Sequence, residues 1–186
     1  MQTRTERDSL GERRIPAGAY YGVQTDRAVE NFPISGLRPK PAYVDATVRI
    51  KKAAARVHKA LGLLDARKAD AIIEACEEIL GGRLREWFVV DVYQAGAGTS
   101  HNMNANEVIA NRAIELSGGV RGAEPKPIHP NDHVNLGQSS NDVFPTAIHL
   151  AVALAIRDEL EPALAECHHA LAAKAEAWRD VLKIGR

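Results

Sequence analysis

Cysteine is almost missing from this chain of 186 residues: Cys76 and Cys167 stand far apart and outside any Cys-x-x-Cys spacing. That excludes a disulfide framework or a thiolate zinc site, and fits a reducing compartment. Both lie in helix-like surroundings and read as core or surface thiols. Net charge is missing too, with 24 Lys+Arg against 24 Asp+Glu. No long-range field therefore favours nucleic acid or an anionic membrane. The longest apolar stretch, Val143 to Ile156, is shorter than a membrane span and contains His149. The N-terminus carries Arg4, Glu6, Arg7 and Asp8 with no apolar segment behind them, so no secretory signal is visible. These absences predict a soluble cytoplasmic protein with neither a nucleic-acid nor a membrane partner.

What is present reads mainly as helix. Residues 3 to 21 are short, charged and punctuated by Gly11, Pro16 and Gly18, which predicts a small strand or hairpin arm. Residues 43 to 61 place Val44, Val48, Ala54/Ala55, Val57 and Leu61 at helical spacing. Residues 65 to 80 repeat the theme with Ala69, Ile72, Ile73, Cys76 and Leu80 before Gly81-Gly82. A third helix is expected after Asn104, where Asn104 and Glu107 have capping-box spacing. Gly118 to Pro130 reads as loop. From about Asp142 to Trp178 the pattern predicts one long helix, bent at Pro162. Its segment Val143 to Ile156 is apolar on nearly every side and must be covered all round, with other chains as the expected cover.

Two turn-to-helix junctions carry the chemistry. The first runs from Gly96 to Glu107 and packs Gly98, Thr99, Ser100, Asn102, Asn104 and Asn106 into one stretch. The second is Gln138-Ser139-Ser140-Asn141-Asp142, ahead of Pro145. Each sets hydroxyls and free backbone N–H groups at a positive helix end, a cradle for a small anion, and two such cradles suit a dicarboxylate. The first lacks the third glycine of a dinucleotide fingerprint and the Gly-Lys-Ser/Thr ending of a P-loop. A glycine loop with an ordinary N-cap would account for part of it, but one cap needs only one of the three asparagines. Ser139, Ser140 and Asn141 could equally be a cap alone. His129 and His133, four apart, invite a metal reading; Pro130-Asn131 points to a turn instead, and no metal site is assigned.

These blocks, in this order, resemble the aspartase/fumarase superfamily. The resemblance runs from Asp8-Ser9-Leu10-Gly11 through Tyr20-Tyr21-Gly22-Val23-Gln24-Thr25 and Asn31-Phe32-Pro33-Ile34-Ser35-Gly36. It continues to the Gly96 segment, His129-Pro130-Asn131-Asp132-His133 and the Ser139 segment. It implies a mainly α fold: a small N-terminal hairpin arm and a helical N-terminal domain (residues 1–140), then the first long helix of a central helical bundle (residues 141–186), cut short. A homotetramer is implied for the full-length protein.

The resemblance places Thr99, Ser139, Ser140 and Asn141 at the substrate, with Gly98, Ser100 and Asn102 in support. His129, Asn131 and Asp132 are implied as a secondary anion site; His101 departs from the family pattern and receives no role. No organic cofactor is implied. The family's serine base lies on a later loop, so no residue of this chain is assigned as catalytic, and the chain alone is expected to be inactive. The expected parent reaction is deamination of L-aspartate to fumarate and ammonia, because Asn104-Ala105-Asn106, Val90-Asp91-Val92-Tyr93-Gln94 and Phe32-Pro33-Ile34 look aspartase-like. Ser140 leans toward the alternative, a class II fumarase acting on malate. A third possibility is a non-catalytic helical domain that binds a dicarboxylate or only assembles.

Overall fold

The computed structural model describes residues 2–185. It opens on an antiparallel hairpin, β1 (Thr3–Asp8) and β2 (Gly11–Pro16), with Thr3 opposite Pro16 and Asp8 opposite Gly11. Asp8 Oδ1 accepts from Leu10 N at 2.9 Å and sets the turn. The Arg4 guanidinium fastens the hairpin to the chain behind it by donating to the carbonyls of Pro16, Ala17, Ala19 and Tyr21.

Six α-helices follow among the described residues: α1 (Val23–Asn31), α2 (Pro41–Ala60), α3 (Ala66–Leu80), α4 (Thr99–Leu116), α5 (Ser140–Ala155) and α6 (Glu161–Ala177). The chain is thus mostly helical with a small hairpin at its start. Pro41 opens α2, where its fixed φ suits a first turn. Asp65 caps α3 by accepting from Arg67 N and Lys68 N, each at 3.1 Å. Val44, Val48 and Ala55 of α2 join Ala69, Ile72, Cys76 and Ile79 of α3 in one core with α4. On α4 itself Ala105, Val108, Ile109, Ala113 and Ile114 are fully enclosed.

Helix α4 begins at Thr99, not after Asn104, and the expected capping box does not form. Asn104 lies inside the helix, where its Oδ1 accepts from Val89 N at 2.9 Å and its Nδ2 donates to Trp87 O at 2.9 Å. Glu107 caps a different helix. Its carboxylate accepts from Gly22 N (2.8 Å), Gln24 N (3.0 Å) and Thr25 N (3.0 Å) at the start of α1, which has no cap of its own. Gly22 is required for this approach, since a Cβ there would lie 2.7 Å from Glu107 Oε1. Burial pushes the Glu107 carboxyl up, against the downward pull of these hydrogen bonds.

The expected long helix runs through α5 and α6, joined by a π-helical turn at Ile156–Leu160. Pro162 follows at once. Its ring cannot donate and presses on the carbonyl four residues back, and the wider turn absorbs that misfit. The helix is not covered all round. Val143, Ala147 and Ala151 are buried, the two alanines meeting Ala46 of α2. On the other side Ile148, Val152, Ile156, Leu160 and Leu164 are each between 40 and 59% exposed, and α6 has no buried residue. None of the described helices is long and apolar enough to cross a membrane.

Candidate active site

The first junction turns on two residues with left-handed backbone, Ala97 (φ 58°) and Gly98 (φ 66°), which aim the chain into α4 at Thr99. Glycine is needed at 98 for packing as well, because a Cβ would lie 1.8 Å from Phe144 Cδ2. Phe144 of α5 therefore rests on bare backbone, and this contact seats one helix start against the other. Thr99 Oγ1 comes within 3.4 Å of Ser140 Oγ. Ser139 caps α5, its Oγ accepting from Asn141 N at 3.2 Å while its own O–H remains available to donate. Thr99, Ser139 and Asn141 are exposed; Ser100 and Ser140 are half-buried. The result is an open patch of neutral donors where the positive ends of α4 and α5 meet.

Asn102 lies beneath this patch, buried. Its Oδ1 accepts from Lys51 Nζ at 2.7 Å, and its Nδ2 donates to Asn135 Oδ1 at 3.2 Å. Lys51 also donates to Asn135 Oδ1 at 2.8 Å. Burial pulls the lysine down to about 7. Sequence reasoning passed over it, yet a signal was there: Val44, Val48, Lys51 and Ala55 fall on one helical stripe, which makes the lysine a polar intruder at a core position.

His101 is buried against Tyr43, with ring centroids 4.6 Å apart. Its backbone N–H donates to Gln94 Oε1 at 2.6 Å. Its Nε2 is 3.3 Å from Thr47 Oγ1, and its Nδ1 has no partner among the described residues. Burial, with a smaller contribution from the Lys51 charge, pushes this imidazole down to about 3, so it stays neutral.

The three residues of the expected secondary site divide. His129 and Asn131 line a cavity of about 240 Å³ together with Arg7, Gln24, Lys126 and Glu107. Asp132 is not among its lining residues; its carboxylate sits 3.2 Å from His129 Nδ1, outside. Lys126 is drawn to Glu6 at 2.8 Å. His133 does not face His129 as a second ligand would. Its Nδ1 accepts from His129 N at 2.7 Å within the π-helical turn Pro130–Val134. No cluster of three or more metal-ligating side chains occurs among the described residues.

The chain is similar to known lyases. Residues 11–186 match the Lyase_1 family, described as lyase. The class II fumarate hydratase of Halobacterium salinarum is 53% identical over 183 residues, which are 98% of this chain and 38% of that protein. The class II fumarate hydratase of Thermosynechococcus vestitus is 50% identical over 99% of this chain and 39% of its own length. Among solved structures, a fumarate lyase:delta crystallin from Brucella melitensis superposes with a TM-score of 0.95 at 52% identity, over all of this chain and 43% of that one. The chain thus spans about two fifths of the length of the relatives it matches.

These relatives overturn the expectation of an aspartate ammonia-lyase, because at about half identity over nearly the whole chain they are fumarate hydratases. Residues of two of the aspartase-like blocks hold backbone elsewhere in the fold. Asn104 serves the backbone of Trp87 and Val89. Asp91 holds the Ser35–Gly36 turn through both N–H groups. Those positions bind their own fold rather than the patch of donors. Ser140, the one residue leaning toward fumarase, is the one that meets Thr99. By its match from residue 11 onward and by these relatives, the chain belongs to the lyase family of the aspartase/fumarase superfamily.

Proposed function

We propose that this chain supplies part of a fumarate hydratase site, binding a four-carbon dicarboxylate at Thr99, Ser139, Ser140 and Asn141. The observation that carries the reading is the approach of Thr99 to Ser140, which merges two helix starts into one patch; the fumarate hydratase relatives support it. In malate dehydration a proton leaves the carbon beside one carboxylate, and a second negative charge builds on that carboxylate. Preoriented neutral donors lower the energy of this aci-carboxylate without a compensating cation. The departing hydroxyl needs a proton donor, and the Asn141 amide can orient it. None of the four side chains titrates near neutral pH, so they bind and polarise. The proton-accepting base is a group outside the patch.

In the same reading, the cavity at His129 and Asn131 takes a second anion that does not react, held near Arg7 and Lys126. The bare apolar row on α5 and α6 packs against other copies in a tetramer.

The test is a chimera in which this chain replaces the matching part of the Halobacterium salinarum enzyme. It should interconvert malate and fumarate, and Thr99→Ala or Asn141→Ala should lower kcat by about 10² to 10³. A folded, assembled chimera that turns over neither substrate refutes the proposal, as does wild-type kcat in both variants.

A further inference from the structure

Two asparagines distant in the chain turn their carbonyl oxygens on one buried ammonium. Lys51 Nζ, on a residue 0% exposed, donates to Asn102 Oδ1 and Asn135 Oδ1. Asn102 stands one turn of α4 beyond Thr99. Asn135 Nδ2 donates to Gln138 O at 3.0 Å, directly before Ser139. Gln138 Nε2 closes back on the carbonyls of Val134 and Leu136. One line of hydrogen bonds therefore runs from α2 to both helix starts. We infer that Lys51 is a positioning residue that holds the Thr99 junction and the Ser139–Asn141 junction in register, which rests on reading those junctions as one binding site.

The chemistry argues for a function beyond packing. Methionine would fill this core position without the cost of a buried charge, and a buried ammonium is expensive unless paired. Among the described residues Lys51 has no carboxylate as a hydrogen-bond partner. The groups facing it from the packed elements carry no compensating charge. Cys76 of α3 is a thiol that burial pushes up to about 12, and His101 of α4 stays neutral. Lys52, next on α2, turns to Glu77 at 3.0 Å. His58 of α2 lies against Gly137, and His133 is held in the Pro130–Val134 turn by His129 N. What remains to hold the ammonium is the pair of amide carbonyls, the same two groups that fix the junctions. A change at Lys51 is therefore transmitted to both.

The experiment follows the backbone ¹⁵N–¹H spectrum of the chain through neutral pH. The amides of Thr99, Asn135, Ser140 and Asn141 should shift together with a midpoint near 7, the value to which burial draws Lys51. Lys51→Arg should hold them at their low-pH positions throughout, and Lys51→Met should hold them displaced with no transition. His58→Gln should leave the transition intact, and the β1–β2 amides, the reporter of folding, should not move in any variant. The proposal is overturned if the Ser140 and Asn141 amides show no transition, if the transition survives in Lys51→Arg, or if it vanishes in His58→Gln. Should Lys51→Met not fold, the wild type, Lys51→Arg and His58→Gln still decide. Failure of the dicarboxylate reading would show separately: added fumarate would leave Thr99 and Asn141 unmoved while the pH coupling persisted.

Discussion

Replacing Gly98 by alanine tests how the two helix starts are held together. Two costs add at this position. A left-handed residue with a Cβ loses about 1–2 kcal/mol, and Gly98 has φ 66°. The new Cβ also meets the Phe144 ring at 1.8 Å, and forcing extra atoms into a packed contact costs typically about 1–3 kcal/mol. The sum is about 2–5 kcal/mol, against a total of roughly 5–15 kcal/mol for an ordinary domain. The chain should therefore still fold, with a clearly lower urea midpoint. Ala97 supplies the control, because it has the same left-handed backbone (φ 58°). Ala97→Gly relieves about 1–2 kcal/mol of strain and loses about 0.4–1 kcal/mol to unfolded-state entropy, so it should be neutral or mildly stabilising. In a Phe144→Ala background, Gly98→Ala should cost only its backbone share, since the ring it strikes is gone. Urea unfolding of these variants measures all of these terms. A Gly98→Ala cost within about 0.5 kcal/mol of its cost in the Phe144→Ala background would refute the claim that Phe144 seats one junction on the other.

Acid should weaken the fold through His101. Its imidazole is held near 3 while an unfolded histidine titrates near 6.5. The unfolded chain thus takes up the proton first: the His101 contribution to stability is full above about pH 6.5 and falls by about 1.4 kcal/mol per unit as pH drops toward 3. His101→Gln should flatten that slope in thermal melts between those limits, and an unchanged slope would reject the assignment. The bare row from Ile148 to Leu164 should drive self-association visible by light scattering. Val152→Glu and Ile156→Glu should shift the chain toward monomer, whereas a stable monomer of the unaltered chain at all concentrations would show the row needs no cover.

Helices α2 and α3 were legible because their apolar stripes are local and regular. Helix α1 was not, because its start is capped from α4 by Glu107 rather than by its own residues. The start of α4 was misplaced for a related reason. Asn104 and Glu107 have the spacing of a capping box, but both are spent on distant backbone, and the left-handed pair Ala97–Gly98 sets the boundary. Both junctions could be recognised as turn-to-helix stretches from their own residues, though the boundary of the first was not. Their meeting could not, since Thr99 and Ser140 are 41 positions apart. Lys51 was visible only as an irregularity in the α2 stripe, and its partners Asn102 and Asn135 lie far along the chain. The choice between leaving groups was not legible, because hydroxyls and amides such as those of Thr99 and Asn141 can serve either one.

The carboxylate of Glu107 lies 85 positions beyond the amide of Gly22 that it receives. Helix α1 has only 9 residues, too few to persist alone in water. During synthesis at about 5–20 residues per second, the segment after the hairpin therefore waits roughly 4–17 seconds for the acceptor that organises it. Helix α1 is thus made well before the group that caps its start.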